Sequence, residues 1–155
     1  AAAEISPSEV ALGGIPLGAS PEYLKSVYGE PTRYETGNDS VIYNYNDTFR
    51  VLFASGKYMY WLETTANNGI GTPSGIRVGM PESVLEKYGE TYFTRQEGNV
   101  TTKAYWARGR IVLESKGNGR NRTTDLYGHH GSCSRYAENR KGVFRIGRTK
   151  GHGRF

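Results

Sequence analysis

The chain has 155 residues, 36% of them hydrophobic and 23% charged, with a formal net charge of +5. That length suits one domain or two very small ones and is enough to bury a core. No run of about 18 apolar residues occurs, which excludes a transmembrane helix, and a single cysteine excludes an intrachain disulfide framework or a Cys-rich zinc module.

Charge is unevenly spread. Residues 1–115 hold ten basic against thirteen acidic side chains, whereas residues 116–155 hold ten against two. The histidines (His129, His130, His152) and Cys133 also lie in the second stretch. A composition boundary therefore falls near Ser115. The small residues Ala1 to Ala3 suit the start of a processed, exported protein, so an extracytoplasmic location is expected.

An internal repeat organises residues 1–115. Gly14-Ile15-Pro16-Leu17-Gly18 matches Gly75-Ile76-Arg77-Val78-Gly79, Pro21-Glu22 matches Pro81-Glu82, and Tyr28-Gly29-Glu30 matches Tyr88-Gly89-Glu90. Tyr45, Arg50 and Ser55 match Tyr105, Arg110 and Ser115. The first unit spans about 12–66 and the second about 74–115. Ser20-Pro21-Glu22 combines an N-cap residue, a first-turn proline and an early acid, so a helix starts there. Leu24, Val27 and Tyr28 recur at helical spacing, and Gly29 ends the helix. Strands follow over Val41 to Tyr45, Phe49 to Ala54 and Tyr58 to Glu63, with a turn at Ser55-Gly56-Lys57. The second unit predicts a helix over Pro81 to Tyr88 and strands over Thr101 to Trp106 and Arg110 to Glu114. Its third strand should start near Asn118, where Gly119-Arg120-Asn121-Arg122 is poor strand material.

The expected fold class is thus α+β: two tandem repeats of a short helix plus antiparallel meander, helices on one sheet face, and a basic tail over 116–155. Three accounts of that tail stand side by side. It is a solvated flexible segment, an arm for nucleic acid or an anionic polymer, or the product of a shifted reading frame. In the second account Arg120, Arg122, Arg135, Arg140, Arg145 and Arg148 neutralise phosphates or similar groups. No RNA-binding motif accompanies them.

The segment Leu17-Gly18-Ala19-Ser20-Pro21-Glu22 through Tyr28-Gly29-Glu30-Pro31, followed by a Tyr-rich meander, resembles the β-lactamase-inhibitor-protein-like superfamily, which includes SmpA/OmlA-type small lipoproteins. The resemblance covers about residues 12–115. It implies an exported, non-enzymatic module with helices on one sheet face and an aromatic-rich opposite face that grips a protein partner.

Strand alternation predicts Val51, Phe53, Met59 and Trp61 inside. It leaves Tyr58 and Tyr60 outside, joined by Tyr43, Tyr45 and Tyr105, as the partner-binding set. No catalytic constellation emerges. Glu22 and Glu82 sit at helix starts, where the dipole accounts for them. His129, His130 and Cys133 do not have a recognised metal-ligand spacing. No metal and no cofactor is expected, and the partner is a protein rather than nucleic acid.

Overall fold

The computed structural model describes residues 5–98, 100–107, 111–118 and 143–148. Short β1 (Ala11–Leu12) and β2 (Ile15–Pro16) pair as a small antiparallel ribbon, followed by helix α1 (Pro21–Tyr28). Strands β3 (Arg33–Gly37), β4 (Ser40–Tyr45), β5 (Phe49–Ala54) and β6 (Tyr58–Thr64) come next. A 3-10 segment (Glu82–Tyr88) then leads to β7 (Phe93–Glu97), β8 (Val100–Ala107), β9 (Ile111–Asn118) and β10 (Val143–Arg148). The eight strands β3 to β10 form one sheet in the order β3-β4-β5-β6-β10-β9-β8-β7, every neighbouring pair antiparallel.

This corrects the expectation of two tandem helix-plus-meander repeats with helices on a sheet face. Strand dominates, and one sheet runs through the described residues. The join is β10, which pairs with β6 through Phe144↔Thr64 to Gly147↔Trp61 and with β9 through Val143↔Lys116 to Arg148↔Ile111. The second expected helix is a 3-10 segment for a local reason. In α1 the Ser20 side chain accepts from the Tyr23 amide at 3.0 Å, capping the first turn. Met80 stands where Ser20 stood in the repeat, and the segment after Pro81 has no side-chain cap. Gly29 and Gly89, at φ 79° and 81°, end the two segments in the left-handed region that glycine enters at little cost.

Two hairpins show why β4, β5 and β6 form where the sequence places them. Asn46 and Asp47 (φ 58° and 60°) and Ser55 and Gly56 (φ 54° and 72°) are the central residues of tight turns. Both residues of each pair are left-handed, as in type I′ turns, whose twist matches that of paired strands.

In-register residues define the two faces. Tyr43, Val51, Leu62, Ile146, Leu113 and Tyr105 make one row across six strands, and all are buried. Phe49 and Phe144 extend it along the same face. Leu24 of α1, Leu85 and Tyr88 of the 3-10 segment, and Leu12, Ile15, Ile76 and Val78 belong to the same apolar cluster. The boundary near Ser115 falls inside β9, and residues 143–148 of the basic stretch supply two fully buried core side chains, Phe144 and Ile146. Tail residues 119–142 and 149–155 lie outside the described residues, and with them most of the tail reading.

Phe144→Ala is expected to lower unfolding stability by about 3–5 kcal/mol, the usual result of emptying a filled core site. Tyr58→Ala, at 63% exposure, should stay within about 0.5 kcal/mol. Urea unfolding midpoints of the two variants check this. Equal midpoints would remove β10 from the core.

Candidate functional site

The expected tyrosine face does not form. Tyr43, Tyr45 and Tyr105 are buried at 8%, 8% and 3% exposure and belong to the core side of the sheet. Register is the cause: Tyr43 and Tyr45 pair with the core residues Val51 and Phe49, and Tyr105 pairs with Leu113. A β-bulge in β6 leaves Tyr60 as an extra residue between Met59, paired with Phe53, and Trp61, paired with Leu52. The bulge shifts the alternation, so Met59 stays with Val51 and Phe53 in the core while Trp61 turns to the opposite face. Tyr60 is half-buried. Tyr58 is exposed at the end of the β5–β6 hairpin, with the Lys57 ammonium 5.2 Å from its ring centroid.

The residues that gather on the opposite face are charged and aromatic. Register places Arg33, Asn44, Arg50, Glu63, Arg145 and Glu114 in one row over six strands. At its centre, Glu63 is only 2% exposed. Arg50 donates from Nε to one Glu63 oxygen at 2.9 Å, and its Nη2 forms an ion-pair contact with the same oxygen, also at 2.9 Å. Arg145 donates from Nε and Nη2 to the other, at 2.9 and 2.5 Å. Each carboxylate oxygen therefore receives one guanidinium, and desolvation of the acid is offset by three charge-assisted hydrogen bonds and a fourth close ion-pair contact. Arg50 also contacts Glu35 at 3.3 Å, and Arg33 bridges Glu35 and Asp47 at 3.4 and 2.7 Å. Three arginines face three carboxylates, so the network is formally neutral.

Trp61 sits in this network, flanked through the neighbouring strands. The Arg50 and Arg145 guanidinium carbons lie 5.5 and 5.0 Å from its ring centroid, within cation–π range. Half-buried Ile42 and Leu52 share its row, and the same row reaches Trp106, 42% exposed, on β8. Trp106 stacks on Tyr92 at a 4.6 Å centroid separation and 28° between planes. The sequence reading missed Trp61 and Trp106. Their signal was the pairing of two tryptophans with nearby arginines, obscured because the bulge is not visible in the residue pattern.

Of the arginines expected to bind anions, Arg145 is committed to Glu63 and Trp61, and Arg148 is exposed. Arg120, Arg122, Arg135 and Arg140 lie outside the described residues, as do His129, His130, Cys133 and His152. Among the described residues no group of three His, Cys, Asp or Glu side chains is arranged to hold a metal ion, and no helix is long and apolar enough to cross a membrane.

A second buried acid lies on the core side. Glu9 accepts from the Ser74 amide at 3.0 Å, the Ser74 hydroxyl at 2.6 Å and the Tyr88 hydroxyl at 2.6 Å. Burial pushes its carboxyl up, but the bonds from Ser74, Tyr88 and Thr72 outweigh it and hold the group below the ordinary carboxylate range. This node ties the N-terminal segment to residues 72–76 and to the 3-10 segment.

Removing the Glu63 carboxylate (Glu63→Ala) leaves two guanidiniums facing each other. Because both reach solvent, the expected destabilisation is about 3 kcal/mol, the low end for breaking a buried pair. Chemical denaturation checks the figure, and an unchanged midpoint would show the seam does not need the ion trio. For Glu9 the folded-state pKa is depressed, so its contribution is present above the ordinary carboxylate range, about pH 4.3, and is lost as pH falls through the folded value. Thermal melts from pH 7 to pH 3 should therefore fall less steeply for Glu9→Gln than for the unaltered chain. Parallel curves would overturn this assignment.

No family model matches the sequence, and no curated protein matches it. Among solved structures, the chain is similar to the crystal structure of an extracellular protein containing a SCP domain from Bacillus anthracis str. Ames, at 11% identity and a TM-score of 0.48. The similarity covers 85% of this chain and 44% of that one, so the chain spans less than half the length of that protein.

Proposed function

We propose that the chain is a non-enzymatic module that binds a protein partner through the sheet face carrying Trp61. The observation behind this reading is the side-chain set on that face: a half-buried tryptophan between two fixed arginines, bordered by Ile42 and Leu52 and continued in register toward Trp106. Trp, Tyr and Arg are the residue types that dominate binding energy at protein interfaces. Their rotamers here are held before any partner arrives, because Glu63 fixes both guanidiniums and each guanidinium lies over the indole. Such preorganisation lowers the ordering cost of association. Tyr58 and Tyr60 from the original set adjoin this region on β6, while Tyr43, Tyr45 and Tyr105 have no part in it. An extracytoplasmic site of action follows from the family resemblance, and fractionation of source cells checks it.

The test is capture from envelope and soluble extracts of the source organism with the full chain, Trp61→Ala and Leu52→Arg, washed at low and high salt. The expected result is a partner held by the unaltered chain at high salt and lost by both variants, with a weakening of roughly 2 kcal/mol or more for Trp61→Ala, as for an interface hot spot. Retention of the same partner by both variants would overturn the proposal. Capture that vanishes at high salt for every form would favour electrostatic binding by the basic tail instead.

A further inference from the structure

The sheet ends at β3, which pairs with β4 on one side and with no strand among the described residues on the other. The hairpin decides which backbone groups face outward. A two-residue turn, Asn38-Asp39, joins β3 to β4, so the flanking pair Gly37↔Ser40 is hydrogen-bonded. Bonded pairs alternate along an antiparallel ladder, so Glu35↔Ile42 and Arg33↔Asn44 are bonded as well. Tyr34 and Thr36 therefore turn their N–H and C=O groups away from β4, toward the open edge. Such a row is a template for another extended strand.

The side chains of β3 decide which strand fits. Tyr34 is 45% exposed although its ring packs edge-on against Tyr43 at 5.0 Å and its hydroxyl donates to Glu30 at 2.6 Å. The ring is fixed, and its outer side is open. Arg33 and Glu35 flank it on the opposite sheet face, at the border of the ion network. A second β3 laid antiparallel with Tyr34 against Tyr34 sets Arg33 opposite Glu35 of the other copy, twice by symmetry. Those are non-bonded pairs, with Cα atoms about 4.5 Å apart, where side chains interact most closely. The adjacent alignments that also match outward groups put Glu35 against Glu35 or Arg33 against Arg33, and like charges directly opposite are destabilising. Within one chain the Arg33–Glu35 contact is 3.4 Å between partly exposed groups, so little is lost in exchanging it. The same hairpin logic at the other edge, β7, turns Thr94 and Gln96 outward, and neither sets an exposed aromatic ring on the axis.

We propose that two copies of this chain join antiparallel through β3, with a twofold axis at Tyr34, into one continuous sheet. The contact is isologous, as expected for a closed dimer. Tyr34 of each copy exchanges both backbone bonds with Tyr34 of the other, and Thr36 stands opposite Thr32. The two tyrosine rings close on each other on the core side, while Arg33 and Glu35 link the ion networks of the two copies on the other. The axis runs perpendicular to the sheet, so both Trp61 faces point the same way. The dimer stands whether or not those faces bind a protein.

Sedimentation equilibrium of the full chain from about 1 to 200 µM tests this. The expected result is a monomer–dimer equilibrium with a dissociation constant in the micromolar range, as suits a small interface. Arg33→Glu and Glu35→Arg should each raise that constant at least tenfold, because each sets like charges opposite one another across the axis. An equimolar mixture of the two variants should dimerise again, since each Glu then meets an Arg of the other chain. Thr36→Pro removes an outward N–H that bonds nothing within the chain, a change edge strands tolerate. It should abolish the dimer while the melting temperature of the dilute, monomeric protein holds, which separates lost association from lost fold. Monomer at every concentration would overturn the proposal and leave the edge to an extended segment of another protein. A dimer left intact by Thr36→Pro, or folded charge variants that stay monomeric when mixed, would overturn it too.

Discussion

The structure turns on one shared carboxylate. Glu63 lies on β6 at the place where β10 joins the first four strands to the last three, and it takes a guanidinium from each side. A one-residue slip of β10 at this seam would turn Arg145 to the core face and carry Phe144 and Ile146 out of it. An unpaired charge in an apolar layer would cost far more than the seam gains from its backbone bonds. The ion trio therefore does less to strengthen the sheet than to select a single register. The apolar row Val51, Leu62, Ile146 and Leu113 selects the same register from the other face, and this agreement between levels makes the join well defined.

The β6 bulge follows from the same requirement. Met59 must face the core beside Phe53, and Glu63 must face the arginines. They stand four positions apart, an even offset, so unbroken alternation would put both on one side. The extra residue, Tyr60, resolves the conflict and carries Trp61 to the charged face. A structural need for one inserted residue thereby creates the half-buried indole between two arginines. Binding surface and seam share the same side chains, so a change in Arg50 or Arg145 alters both.

On the core side the polar work is done by neutral donors. Glu9 is held by hydroxyls and an amide, and no basic side chain among the described residues pairs with it, at a position where three chain segments meet. Tyr88 bonds Glu9 and its ring packs at a tilt against Tyr105, so the 3-10 segment is anchored at its end. Three of the five tyrosines expected to form a surface, Tyr43, Tyr45 and Tyr105, are core residues instead, and the Tyr45 hydroxyl reaches the Gly29 carbonyl, a use for which a phenol is well suited.

Local chemistry in the sequence determined the features that depend on neighbours in the chain. The Ser20 cap with Pro21 and Gly29 set α1. The strand Phe49–Ala54 followed from alternating apolar residues, and the turn beginning at Ser55-Gly56 from residues that tolerate positive φ. Met80 in place of Ser20 already weakened the second helix, a signal that propensity alone did not weigh. Polar edge strands Arg33–Gly37 and Phe93–Glu97 lacked an apolar pattern because one side of each meets solvent or charge. Only the tertiary structure decided the rest. β10 pairs with β6 across about 80 residues, and no local pattern reports a partner so distant. The faces of Tyr43, Tyr45 and Tyr105 depended on register with Val51, Phe49 and Leu113, and the face of Trp61 on a one-residue bulge in β6. The sharing of Glu63 by Arg50 and Arg145 required three strands to be placed side by side, and it is long-range packing, not residue type, that brings such charges together.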